Sequence, residues 1–247
     1  MKLFNYFFQF STRLFFFTDD QEVSSKKKLK FCDIFTSLRI LVPYFDLFVT
    51  YLGYGLVNSM LEEYLDHEIH ATETQINISF TGMGLVYMVF TILSGYLCDR
   101  MKYPGILSIP SNINLILCFT YIGPLSILKD AKPTWISVCV STTLMGISFG
   151  SVMVTSMGRV QKTVANLGFD QDWHTDLLIC GMWSTVFYCS NFLGPTIAGV
   201  LVENFGFRHT SSIFPVIYVL NLLIQSGEYL VSRCNTKSLG HDYQRIL

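Results

Sequence analysis

The feature that most constrains this chain is the stretch INISFTGMGLVYMVFTILSGYLC from Ile76 to Cys98, whose only ionisable side chains are tyrosine and cysteine. As an α-helix it rises roughly 33 Å, about the thickness of a bilayer's hydrocarbon core. That length and composition specify a membrane-spanning helix. It closes in a charged turn, so that Gly95, Leu97, Asp99 and Arg100 form a G-x-L-x-D-R sequence. The glycine permits close approach of a neighbouring helix, and the acid and base sit just past the apolar boundary.

The rest of the chain agrees with a lipid solvent. Of 247 residues, 51% are hydrophobic and only 14% charged, against about 25% charged in an ordinary soluble domain. A net charge of -1 and the lack of a basic patch with interleaved aromatics argue against a nucleic-acid partner. The seven cysteines are scattered, mostly within apolar segments and without C-x-x-C spacing, and read as small core residues. No metal or other cofactor is expected, since His67 and His70 stand three apart with no third ligand in view.

Six apolar segments follow in order: about 41–62, 76–98, 104–124, 134–157, 177–202 and 212–231. The expected fold is therefore all-α and polytopic, a six-helix transmembrane bundle over 36–231. Pro43 suits the first turn of the first span; Pro110 makes the third the weakest. Residues 1–35 read as an aromatic and polar cytosolic linker. Its phenylalanine-rich start is broken by Asn5, Gln9 and Arg13, is too short and polar to span, and lacks a small-x-small cleavage site. Residues 232–247 read as a tail. Counting Lys and Arg with these spans puts fourteen on the side of both termini, Lys26, Lys27, Lys28, Arg100 and Arg159 among them, and three on the other. By the positive-inside rule both termini face the cytosol.

Ionisable groups within a span cost about 2.5 to 3.5 kcal/mol at the helix centre on insertion scales, so each is a functional candidate. Asp46, one turn into the first span, has two readings: an acid favoured by the helix dipole near water, or a group handling protons or cations. Glu62 and Glu63 close that span and are followed by Asp66, Glu68 and Glu73. They form either an acidic outer mouth that concentrates cations or a face merely depleted of basic residues. Gly146, Ser148 and Gly150 match G-x-S-x-G, but within an apolar helix, with no strand-turn-helix setting and no nearby histidine. Helix packing explains the glycines better than hydrolase chemistry, and the chain does not read as an enzyme. Asn112, Asn114, Asn221 and Gln225 read as interhelical hydrogen-bonding groups, Glu203 and Glu228 as boundary residues.

Gly82, Met83, Leu85, Tyr87, Gly95, Leu97, Asp99, Arg100 and Pro104 together resemble the eighth helix and following loop of major facilitator superfamily transporters, which carry a degenerate copy of that superfamily's gating motif. The fifth span, with Gly181, Phe192, Gly194, Pro195, Thr196 and Gly199, then Glu203, Gly206 and Phe207, resembles the eleventh helix of the vesicular amine and polyamine branch. Ser37 to Pro43 resembles the lead-in to a seventh helix, so the similarity covers about 36–231.

The resemblance implies the C-terminal six-helix half of a major facilitator superfamily bundle. Its activity would be proton-coupled antiport of a cationic amine or polyamine, in a secretory or synaptic-type vesicle membrane or in the plasma membrane. The implied partners are the lipid bilayer, a small cationic substrate with protons, and either a missing N-terminal six-helix half or a partner transporter. Gly95, Asp99 and Arg100 would serve as the gating motif, Gly194 and Pro195 in helix packing, and Asp46, Asn58 and Asn191 along a substrate or proton path. The chain also departs from the branch. Asn58 and Ser59 stand where members carry an acid followed by proline, and Thr155 and Arg159 stand near a replaced proline and acid. Asp46 is then the substitute acid. The alternative is a six-helix membrane protein without transport activity that pairs with or regulates a full transporter.

Overall fold

The computed structural model describes residues 29, 31–101, 103–122, 134–170 and 172–244, with side-chain detail as far as Tyr229. After a short helix, Phe31–Thr36, come six helices long and apolar enough to cross a membrane: α1 (Leu38–His67), α2 (Glu73–Arg100), α3 (Gly105–Ile122), α4 (Trp135–Asn166), α5 (Trp173–Phe207) and α6 (His209–Tyr229). All six expected spans are present, most of them longer than expected. α1 begins before Pro43, which sits inside the helix and leaves the Arg39 carbonyl without its helical donor. α4 runs nine residues past the expected end at 157, which carries Arg159 out of the flanking region and into the bundle. The backbone helix after α6 continues to Gln244 through the expected tail.

Local sequence explains the helix ends. Thr72 and Gln75 form a capping box at the start of α2, with the Thr72 N–H donating to Gln75 Oε1 at 3.0 Å. Gly168 takes φ 79° just past α4, the left-handed cap that glycine tolerates best. Gly206, at φ 77° and ψ 160°, breaks the helical run near the end of α5. A Cβ there would meet nothing within 4 Å, so glycine is required by the backbone conformation and not by space.

Packing divides the helices into inner and outer ones. α2 lies along α4, α1 along the α5–α6 run, and α3 against α4 and the same run, while the consecutive pair α1 and α2 scarcely touches. In the spanning windows of α1 and α4, 67% and 56% of residues are buried, against 17% in α2 and 17% in α5. The inner helices are therefore α1 and α4. The outer faces of α2 and α5 expose Leu85, Val89, Ile92, Phe192 and Val200, apolar surface suited to lipid or to another helical body.

Small residues set the closest crossings. At Gly146 a Cβ would meet the Met83 carbonyl oxygen, and at Gly150 it would lie 2.6 Å from the Tyr87 carbonyl oxygen, so α2 and α4 touch backbone to backbone. Gly55 of α1 faces Gly194 and Pro195 of α5 in the same way, its Cβ position 3.0 Å from Gly194 Cα. Gly95 makes no such demand, since a Cβ there would sit 3.7 Å from Val154 in ordinary contact; the close approach expected at this glycine is made instead by Gly146 and Gly150 on α4. Leu29 and Ile34 are buried with Ile40, Tyr44, Val160, Val164 and Ile179, so the end of the expected linker docks on the bundle.

Candidate functional site

Polar residues of α1, α3, α4 and α6 converge toward the end of the bundle where α1 begins. Asp46 lies roughly 12 Å along α1 from Leu38, at 1.5 Å per residue, and is fully buried. Its Oδ1 accepts from Asn112 Nδ2 of α3 at 3.1 Å and from Asn221 Nδ2 of α6 at 2.8 Å. Its Oδ2 faces Arg159 Nη1 of α4 at 3.5 Å. The same guanidinium donates to Ser108 Oγ at 3.3 Å, to Gln225 Oε1 at 3.4 Å and, through Nη2, to the Glu228 carboxylate. Asn221 also donates to Asn112 Oδ1 at 3.0 Å.

Helical spacing brings these groups together. Ser108 and Asn112, Thr155 and Arg159, and Asn221, Gln225 and Glu228 recur at intervals of three and four, which places each set on one helix face. Desolvating an ion costs several kcal/mol, and only pairing with further hydrogen bonds offsets it. Asp46 receives that compensation from three other helices, which makes it a keystone between α1, α3, α4 and α6. Asp46 thus lies inside the bundle and not at its surface.

The remaining expected site residues do not join this cluster. Asn58 is exposed on α1, roughly 18 Å along the helix from Asp46 at 1.5 Å per residue. Asn191 bonds within its own helix, Nδ2 to the Phe187 carbonyl at 2.8 Å. Glu62 and Glu63 are exposed at the opposite end of α1. Ser148 lies in continuous helix and accepts from Asn114 Nδ2 at 2.8 Å, without the sharp turn that a nucleophile elbow needs. Among the described residues no group of three or more His, Cys, Asp or Glu side chains is placed to hold a metal ion.

The G-x-L-x-D-R sequence ends α2 at the same end as the Asp46 cluster. Asp99 is half-buried, and the Arg100 guanidinium lies 4.5 Å above the Tyr96 ring centroid, a cation–π contact. Lys162 of α4 reaches across to this turn and donates to the Cys98 carbonyl at 2.6 Å and the Met101 carbonyl at 2.5 Å. One turn back, Arg159 Nε would be 3.3 Å from a Cβ on Gly105. α4 thus braces the α2–α3 turn with one cation and packs it with another. Lys162→Met is expected to lose charge-assisted bonds of about 1.5 to 3 kcal/mol and so raise alkylation of the buried Cys98 by about tenfold, read by mass spectrometry of its peptide.

A second cluster went unrecognised in the sequence because aromatics are common in any apolar span. Tyr51 stacks edge-on with Phe187 at 4.7 Å and Tyr54 with Phe149 at 5.1 Å, while Trp183 lies parallel to Phe187 at 5.3 Å. Tyr51 Oη is 3.2 Å from Tyr87 Oη and donates to the Phe149 carbonyl at 3.2 Å. Tyr54, Phe187 and Trp183 are only half-buried, so this patch reaches the surface between α1, α4 and α5.

The model of the Major Facilitator Superfamily matches residues 45–228. The chain is similar to the MFS-type transporter SLC18B1 of Homo sapiens, 25% identical over 187 residues, which cover 74% of this chain and 40% of the relative. The Rattus norvegicus protein of the same name is 23% identical over 163 residues, 65% of this chain and 35% of the relative. The Mus musculus one is 24% identical over 158 residues, 63% and 34%. The chain thus spans 34% to 40% of the length of these curated relatives.

Proposed function

The chain belongs to the Major Facilitator Superfamily, and on that footing we propose that it forms one six-helix half of a transporter exchanging protons for a cationic amine or polyamine. The observation that carries the cationic substrate is the aromatic patch in which half-buried Tyr54, Phe187 and Trp183 pack on buried Tyr51 and Phe149. Ring faces attract cations, most strongly where water is scarce. The uncovered faces of α2 and α5 suit a second six-helix body, with substrate held between the halves near the midplane. The excess of Lys and Arg at the end carrying Arg39, Arg100 and Lys162 supports a cytosolic position for that end, and a vesicle membrane supplies the proton gradient. Asp99 and Arg100 act there as a latch, the carboxylate stabilising one closed arrangement of the halves and releasing it in the other.

Proteoliposomes carrying the full-length gene product test this reading. An imposed pH gradient is expected to drive uptake of labelled polyamine, and Asp99→Asn to abolish it. Equal uptake without the gradient removes proton coupling. The uncovered α2 and α5 faces also favour a second reading, a six-helix protein that pairs with a full transporter and does not itself transport; co-purification with a larger partner, in the absence of uptake, selects it.

A further inference from the structure

Two carboxylates and one guanidinium share one hydrogen-bonded cluster, Asp46, Arg159 and Glu228. Fully ionised, the trio carries one more negative than positive charge. Among the described residues, the groups packed around it do not correct this. α3 contributes the neutral Ser108 and Asn112, and α6 the neutral Asn221 and Gln225 together with the Tyr218 phenol, which lies near enough to Asp46 to feel its charge and donates to the Thr50 carbonyl at 3.3 Å. α5 places Cys180 beside Tyr44. Lys162, the next cation on α4, is turned to the Cys98 and Met101 carbonyls. An uncompensated charge in so buried a place is costly, and the smallest species that removes it is a proton.

We propose that Asp46, Arg159 and Glu228 form a proton-binding site holding one proton per chain, exchanged with water through Glu228. The proton converts one carboxylate to a carboxylic acid on entry and leaves as hydronium, and it belongs to the coupled trio and not to either acid alone. Exposure sets the route: the Glu228 side chain is 20% exposed and Asp46 is 0%. The amides suit both states, because Asn112 and Asn221 can turn an NH2 toward a carboxylate or a carbonyl toward a carboxylic acid. Among the described residues Asn221 Oδ1 and Gln225 Nε2 are buried without hydrogen-bond partners, which leaves a spare acceptor and a spare donor beside the trio. The site deepens the proton-coupled reading above and rests on it only for its use in transport.

Protonation can be read without transport. The chain in lipid nanodiscs is compared by infrared difference spectroscopy between alkaline buffer and mildly acidic buffer in which exposed carboxylates stay ionised. The expected result is a carboxylic-acid carbonyl band. Glu228→Gln should abolish it, and so should Asp46→Asn, because each leaves a neutral acid–base pair. Arg159→Gln should strengthen it about twofold, since both acids then need a proton. A band unchanged in Glu228→Gln, or no band in the parent chain, overturns the proposal. Should Asp46→Asn or Arg159→Gln fail to yield a monodisperse protein, Glu228→Gln decides alone, because its side chain reaches the surface. Gradient-independent uptake would leave the band in place and remove only the coupling, whereas gradient-driven uptake without the band would put the coupling proton elsewhere.

Discussion

Arg159→Met is expected to destabilise the bundle by about 3 to 5 kcal/mol, the usual cost of leaving a buried charge without its partner. The guanidinium is nearly enclosed, with 7% side-chain exposure, and touches Asp46, Ser108, Gln225 and Glu228 from three helices. Methionine fills much of the same volume but answers none of these acceptors, and Asp46 at 0% exposure cannot turn to water. Reversible denaturation in mixed micelles at neutral pH measures the loss. A companion variant separates charge from packing. Arg159→Met combined with Asp46→Asn removes the ion and its buried counter-ion together, and should cost appreciably less than Arg159→Met alone. If the double variant were as damaged as the sum of the singles, the pair would hold the helices by shape and not by charge.

The interior position of Arg159 is not legible in the sequence, for a physical reason. A basic residue near the end of an apolar segment is placed in the headgroups by default, because its long stem can snorkel there. Here the segment does not end. Thr155, Arg159 and Lys162 continue α4 to Asn166, and only the carboxylates on α1 and α6 make an interior position tolerable. The spans themselves were legible, because long apolar runs leave the backbone no alternative in lipid. What was not legible was which polar residues meet, since that depends on the neighbours of each helix. Asn221, Gln225 and Glu228 stand at helical spacing, yet nothing in the chain order says that this face of α6 meets Asp46 on α1. Asn58 and Asn191 show the converse, since resemblance singled them out but neither is hydrogen-bonded to this cluster. Likewise Gly95 in the G-x-L-x-D-R sequence suggests a tight crossing, while the tight crossing uses glycines on the opposite helix.

That opposite helix supplies the other large effect. Gly146→Leu is expected to cost about 3 kcal/mol or more, at the upper end for overpacking, because the added side chain has no room on either side of the α2–α4 seam. A Cβ at Gly146 already meets the Met83 carbonyl oxygen and lies 3.2 Å from the Tyr87 nitrogen, both backbone atoms of α2 that no rotamer can move. α4 cannot retreat, since its far face buries Val138, Met145, Phe149 and Val152 and is tied to α1 through the Tyr51 hydroxyl on the Phe149 carbonyl. Relief therefore requires α2 to move outward, and with it the turn that Lys162 braces. Gly84 provides the control on the facing helix: a Cβ there meets nothing within 4 Å, so Gly84→Leu should be neutral or slightly stabilising through helix propensity. Unfolding of the two variants under the same conditions gives the comparison, and similar stabilities would mean that the α2–α4 seam is looser than backbone contact implies.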